Sequence, residues 1–200
     1  MMKQTLAVLA GLWLTTLLSV TWYSQWDMQF PLWFGLLLGL SGALLVLFRL
    51  AARTILRGAG GLQLPSLSDI PGQTGQWSSK SLILLAAALA IEIASHLLFS
   101  EPGPLFAARI AVLFGLGYLL SRWCNSRPYA PVLSCLILLI PWAAWLTLQY
   151  LLGDYRGGEA SFIYAGGIVW RIIILPFEAT VAWGGWLIGE TLKQTFGRTS

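Results

Sequence analysis

Charge is what this sequence has least of. Only 10% of its residues are Asp, Glu, Lys or Arg, histidine occurs once, and cysteine twice. Each scarcity excludes something. So few charges cannot build an electrostatic surface for nucleic acid. A single histidine rules out a two-histidine zinc motif and a pair of histidine haem ligands. Cys124 and Cys135 lack metal-type spacing and fall near the expected cytoplasmic side, where thiols stay reduced. Also missing are a G-x-S-x-G elbow, a glycine loop ending in Lys-Ser/Thr, and a paired-aspartate motif for head-group transfer. The run "GAGG" (58–61) has none of those partners and reads as a flexible connector. No catalytic set, cofactor site or metal site emerges, and the chain is expected not to be an enzyme.

What fills the space is apolar. Hydrophobic residues make up 57% of the chain and mean hydropathy is +0.73, far above a soluble domain. The apolar residues come in blocks, several of which reach the ~20 residues a helix needs to cross ~30 Å of hydrocarbon. Water is absent there, so each block must be a helix that satisfies its own backbone. The expected fold is therefore all-α: an integral membrane bundle of six helices forming one transmembrane domain over 1–200. The spans are expected at about 5–23, 30–50, 81–100, 105–123, 131–152 and 162–189, with a cytoplasmic loop at 51–80. The breaks "SEPGP" (100–104) and "NSRPYAP" (125–131) carry prolines expected to end helices. Pro141 and Pro176 lie inside spans and are expected to kink them.

Orientation follows from the basic residues. An N-terminus inside places Lys3, Arg49, Arg53, Arg57, Lys80, Arg122, Arg127, Lys193 and Arg198 on the cytoplasmic side, leaving Arg156 in an outer loop. Both termini are then cytoplasmic, and the expected location is a bacterial cytoplasmic (inner) membrane. The N-terminal segment has the charge and core of a signal peptide, but Ser19 and Thr21 precede the bulky Trp22. That makes a poor cleavage site, so the segment is expected to remain as the first span.

Arg49, Arg53 and Arg57 recur every four residues and share a helix face, a cytoplasmic basic strip suited to anionic headgroups. The loop after them is rich in glycine, proline and serine, yet "LQLPSLSDI" (62–70) exposes apolar residues that a soluble partner could use. Small residues form rows at helix-packing spacing: Gly35, Gly39 and Ala43; Ala111 and Gly115; Gly185 and Gly189. Such rows let helices approach closely, within this bundle or against another subunit.

Five ionisable residues fall at membrane depth: Glu92, His96, Arg109, Arg171 and Glu178. A lone charge there costs ~3 kcal/mol or more, so each needs a partner or a purpose. Counting ~1.5 Å per residue from the outer ends puts Glu92 level with Arg171, with Arg109 within reach across a tight hairpin. Two carboxylates against two guanidiniums predict internal ion pairs: Glu92 with Arg171, Arg109 sharing it, Arg49 approaching Glu178, and His96 uncharged beside them. These pairs fix helix packing, or else they line an outward pocket where Glu92 and His96 exchange protons. Two functions remain open. One is a non-catalytic subunit of a larger membrane complex, with protein partners and a transport, secretion or assembly role. The other is a small solute-binding or proton-coupled carrier, or the binding component of an energy-coupled importer.

Overall fold

The computed structural model describes residues 10–11, 13–14, 16–18, 29–58, 78–98, 102–124, 126–152 and 158–196. The candidate signal peptide's charged end and the apolar loop segment 62–70 lie outside those residues. All regular structure among the described residues is helical. Helical residues between 10 and 18 form α1; α2 is Gln29–Gly58, α3 Ser79–Leu98, α4 Pro102–Cys124, α5 Ala130–Leu152 and α6 Gly158–Phe196. Three stretches, Phe34–Arg57, Gly103–Cys124 and Arg171–Phe196, are long and apolar enough to cross a membrane.

Several boundaries differ from the sequence expectation. α2 continues through 51–58 instead of opening a loop at 51, because "AARTILR" consists largely of good helix formers and stops only where glycine begins. Pro102 and Pro104 lie in the first turn of α4, where the missing N–H has no helical partner to lose. α6 runs beyond Gly189 to Phe196.

α6 is the axis. Of its apolar stretch 83% is buried, against 28% for α4 and 11% for α2. It packs against α4, α2 and α5, while α3 lies against α4 and α5. Direction follows from matched levels. Leu37 clusters with Ile173, and the Phe48 ring lies where a side chain at Gly184 would go, so α2 runs parallel to α6. Phe106 stacks on Phe177 and Ser121 bonds Glu190, so α4 does too. α5 runs the other way: Trp142 meets Arg171 near one end, and Trp186 donates to the Ser126 carbonyl near the other (3.0 Å).

The seam between α4 and α6 is made by glycine. A Cβ at Gly117 would collide with the Ala182 carbonyl, one at Gly185 with the Phe114 carbonyl, and one at Gly189 would stand 2.9 Å from the Tyr118 carbonyl. Backbone therefore packs on backbone, which is how helices gain dispersion energy where lipid already matches their apolarity. The row Gly185–Gly189 packs inside the bundle. Among the described residues the other two expected rows meet no neighbour: a Cβ at Gly35, Gly39 or Gly115 would have nothing within 4 Å, and Ala43 and Ala111 are exposed.

Pro176 has no N–H to give the Ile172 carbonyl, its helical acceptor. Thr16 of α1 donates its hydroxyl to that oxygen instead (3.2 Å). A proline in the central helix is thus matched by a hydroxyl from a neighbouring one.

Candidate functional site

Four charges meet where α3, α4 and α6 converge. α4 lies between the other two helices and contributes Arg109. Its Nε donates to Glu178 Oε1 and its Nη2 to Glu178 Oε2 (3.0 Å), a two-pronged grip on a fully buried carboxylate. Its Nη1 meets Glu92 Oε1 of α3. Arg171, two turns before Glu178 on α6, reaches Glu178 Oε1 at 3.4 Å and Glu92 Oε1 at 3.9 Å. Its guanidinium also lies 4.8 Å from the Trp142 ring centre, a cation–π contact with α5. The arrangement is a ring of alternating sign in which each carboxylate touches both guanidiniums.

Its net charge is zero, which is what a low-dielectric setting demands. A carboxylate gripped by Arg109 is a poor base or nucleophile, because its lone pairs are already engaged. The ring is not equally closed on all sides. Glu178 is 1% exposed, whereas Glu92 and Arg171 keep 11% and 12%.

The residues expected from the sequence divide as follows. Glu92, Arg109, Arg171 and Glu178 come together, but with a different centre. Arg109, expected close enough to share Glu92 with Arg171, is the hub, and Arg171, expected as the main partner of Glu92, stands farther off. Arg49 does not approach Glu178. The parallel register that sets Phe48 at Gly184 puts Arg49 about two turns, ~10 Å, along the axis from Glu178. His96 lies one turn beyond Glu92 on α3, and its side chain falls outside the described residues. Arg49, Arg53 and Arg57 are exposed at the end of α2, and Ala52 and Leu56, on the adjoining side of the helix, are buried. Among the described residues no three His, Cys, Asp or Glu side chains gather as they would around a metal.

Sequence reasoning missed a second buried carboxylate. Glu190 is 4% exposed, accepts from the Ser121 hydroxyl (3.1 Å), and has Lys193 Nζ at 3.9 Å. Its spacing from Ser121 equals that of Glu178 from Arg109, 69 residues in both, which reflects the constant register of the parallel helices. That repeat of polar pairs at one offset was the available signal. Trp142 and Thr16 were missed as well, since nothing in an apolar run marks one tryptophan or threonine as a partner.

Comparison with known proteins returns no match to a family model, a curated protein or a solved structure.

Proposed function

We propose that this protein is a polytopic subunit of a larger membrane complex, with a transport, secretion or assembly role and no catalysis of its own. The observation that carries this reading is the outward row of small residues on α2. Gly35, Gly39 and Ala43 are exposed and, among the described residues, nothing lies within 4 Å of a Cβ built at either glycine, while glycines of the same kind on α4 and α6 hold the bundle together. A helix face of that chemistry gains little from lipid chains and more from a second helix laid close. The cluster of Glu92, Arg109, Arg171 and Glu178 then serves as the internal keystone that fixes helix order.

In this reading the chain crosses a bacterial cytoplasmic membrane six times with both termini in the cytoplasm. The common end of α2, α4 and α6, marked by Arg57, Arg122 and Lys193, supports that orientation. Arg49, Arg53 and Arg57 lie at anionic headgroups, and the segment 62–70 docks a protein partner. Native mass spectrometry of the protein extracted from its own membranes in mild detergent tests this. A co-purifying polypeptide, lost in a Gly39→Leu variant, is the expected result; a monomer alone contradicts it.

A second reading is favoured by one feature, the accessible edge of the charge ring at Glu92 and Arg171. It is a solute-binding or proton-coupled membrane protein whose pocket opens at that edge.

A further inference from the structure

We infer that the accessible edge of the ring binds a small organic monoanion together with one proton, the anion's carboxylate going to Arg171 and the proton to Glu92. The inference rests on the solute-binding reading and specifies its ligand.

Arg171 is the under-used member of the ring. Its two contacts to carboxylate oxygens are 3.4 and 3.9 Å, the second beyond hydrogen-bond reach. Arg109, by contrast, hydrogen-bonds both oxygens of Glu178. Among the described residues neither Arg171 Nε nor Glu92 Oε2 has a hydrogen-bond partner. Donor and acceptor capacity is therefore left over on the two ring members that keep some exposure, with the Trp142 ring beside Arg171. Buried guanidinium with spare donors is the usual receptor for a planar carboxylate, and the aromatic wall suits an organic tail.

Charge counting then selects the stoichiometry. The empty ring is neutral: Glu92 and Glu178 against Arg109 and Arg171. An anion alone would leave an excess negative charge in a low-dielectric site, which is costly. If Glu92 takes a proton as the anion arrives, its carboxyl becomes neutral, the ligand's carboxylate replaces it beside Arg171, and the sum returns to zero. Glu92 is the acceptor rather than Glu178, because Glu178 is held on both oxygens and closed to solvent. The charged groups facing Glu92 are Arg109 from α4 and Arg171 and Glu178 from α6. From α5 the buried thiol of Cys135 is near Glu178 and Arg109, and His96 lies one turn along α3. A dianion such as phosphate would need two protons and is disfavoured.

The test titrates benzoate, with acetate, inorganic phosphate and choline as comparison probes, into the full-length protein in lipid nanodiscs. Proton uptake is followed with a pH-sensitive dye in weak buffer. The wild type should bind benzoate with one proton taken up per anion, and binding should weaken about tenfold per unit rise in pH while the empty Glu92 is ionised. Glu92→Gln, which imitates the protonated carboxyl, should bind benzoate with no proton uptake and no such pH dependence. Arg171→Gln should not bind. Wild-type binding without proton uptake overturns the inference and leaves the solute-binding reading standing, as does binding of choline or phosphate in place of benzoate. Binding of none of the probes at millimolar concentration overturns both. The wild-type proton count needs no variant and so decides the matter even if a substitution impairs folding.

Discussion

Arg109 and Glu178 meet edge to edge across the α4–α6 seam, Nε to Oε1 and Nη2 to Oε2, so that one guanidinium covers both oxygens of one carboxylate. The same arginine touches Glu92 of α3. Arg171 contacts the same two carboxylates only at 3.4 and 3.9 Å. Removing Arg109 should therefore cost more than removing Arg171. Arg109→Ala is expected to destabilise by about 3–5 kcal/mol, the range for breaking a buried pair, and Arg171→Ala by clearly less. Thermal midpoints in one detergent rank the two.

The glycines of the seam make a contrasting pair of predictions with those outside it. Gly117→Ala and Gly185→Ala drive a methyl into a backbone carbonyl that cannot rotate away, and should cost about 1–3 kcal/mol or more. Gly39→Ala meets open space and should be neutral or stabilising by up to about 1 kcal/mol, since alanine is the better helix former. Chemical denaturation of the three variants in mixed micelles reads the difference directly.

Thr16 and Pro176 should be energetically coupled although they do not bond to each other. Thr16→Val strands the Ile172 carbonyl that Pro176 leaves without its helical donor, at about 1–3 kcal/mol. Pro176→Ala returns an N–H to that carbonyl, so Thr16→Val should cost much less in its background. A double-mutant cycle measures the coupling, and strictly additive effects would show that the hydroxyl does not perform this role.

Among the described residues, Ser121 gives the carboxylate of Glu190 the one hydrogen bond it receives from another helix, with Lys193 at 3.9 Å beside it. Ser121→Ala should cost about 1.5–3 kcal/mol, the range for a bond to a charged group. Ser121→Ala with Glu190→Leu should recover most of it, as read by thermal midpoint.

Some of this was legible in the sequence, for identifiable reasons. Apolar blocks of membrane length imply helices because lipid offers the backbone no partner, and Phe34–Arg57, Gly103–Cys124 and Arg171–Phe196 have that length. Depth counting brought Glu92 level with Arg171, and Arg109 within reach of Glu92, because rise per residue in a helix is constant. Rotation about each axis is not constant in that sense. It decided that Arg109 rather than Arg171 sits between the carboxylates, and no spacing within α3 or α6 discloses it. The same freedom explains the small-residue rows. Gly115 and Gly117 are both on α4, yet only Gly117 faces α6. Glu190 escaped because the apolar run fades at Gly189 while the helix continues, and burial there comes from Ser121 and Tyr118 of α4, not from hydropathy.

The keystone role of the charge ring is tested most directly by a double-mutant cycle on Arg109 and Glu178, read as thermal midpoint and membrane accumulation. Arg109→Leu leaves two carboxylates facing one guanidinium, and Glu178→Leu leaves two guanidiniums facing one carboxylate. The double variant leaves Glu92 and Arg171 as a balanced pair. The account predicts that the double variant is more stable than either single one. A double variant no better than the worse single, or two losses that simply add, would contradict it.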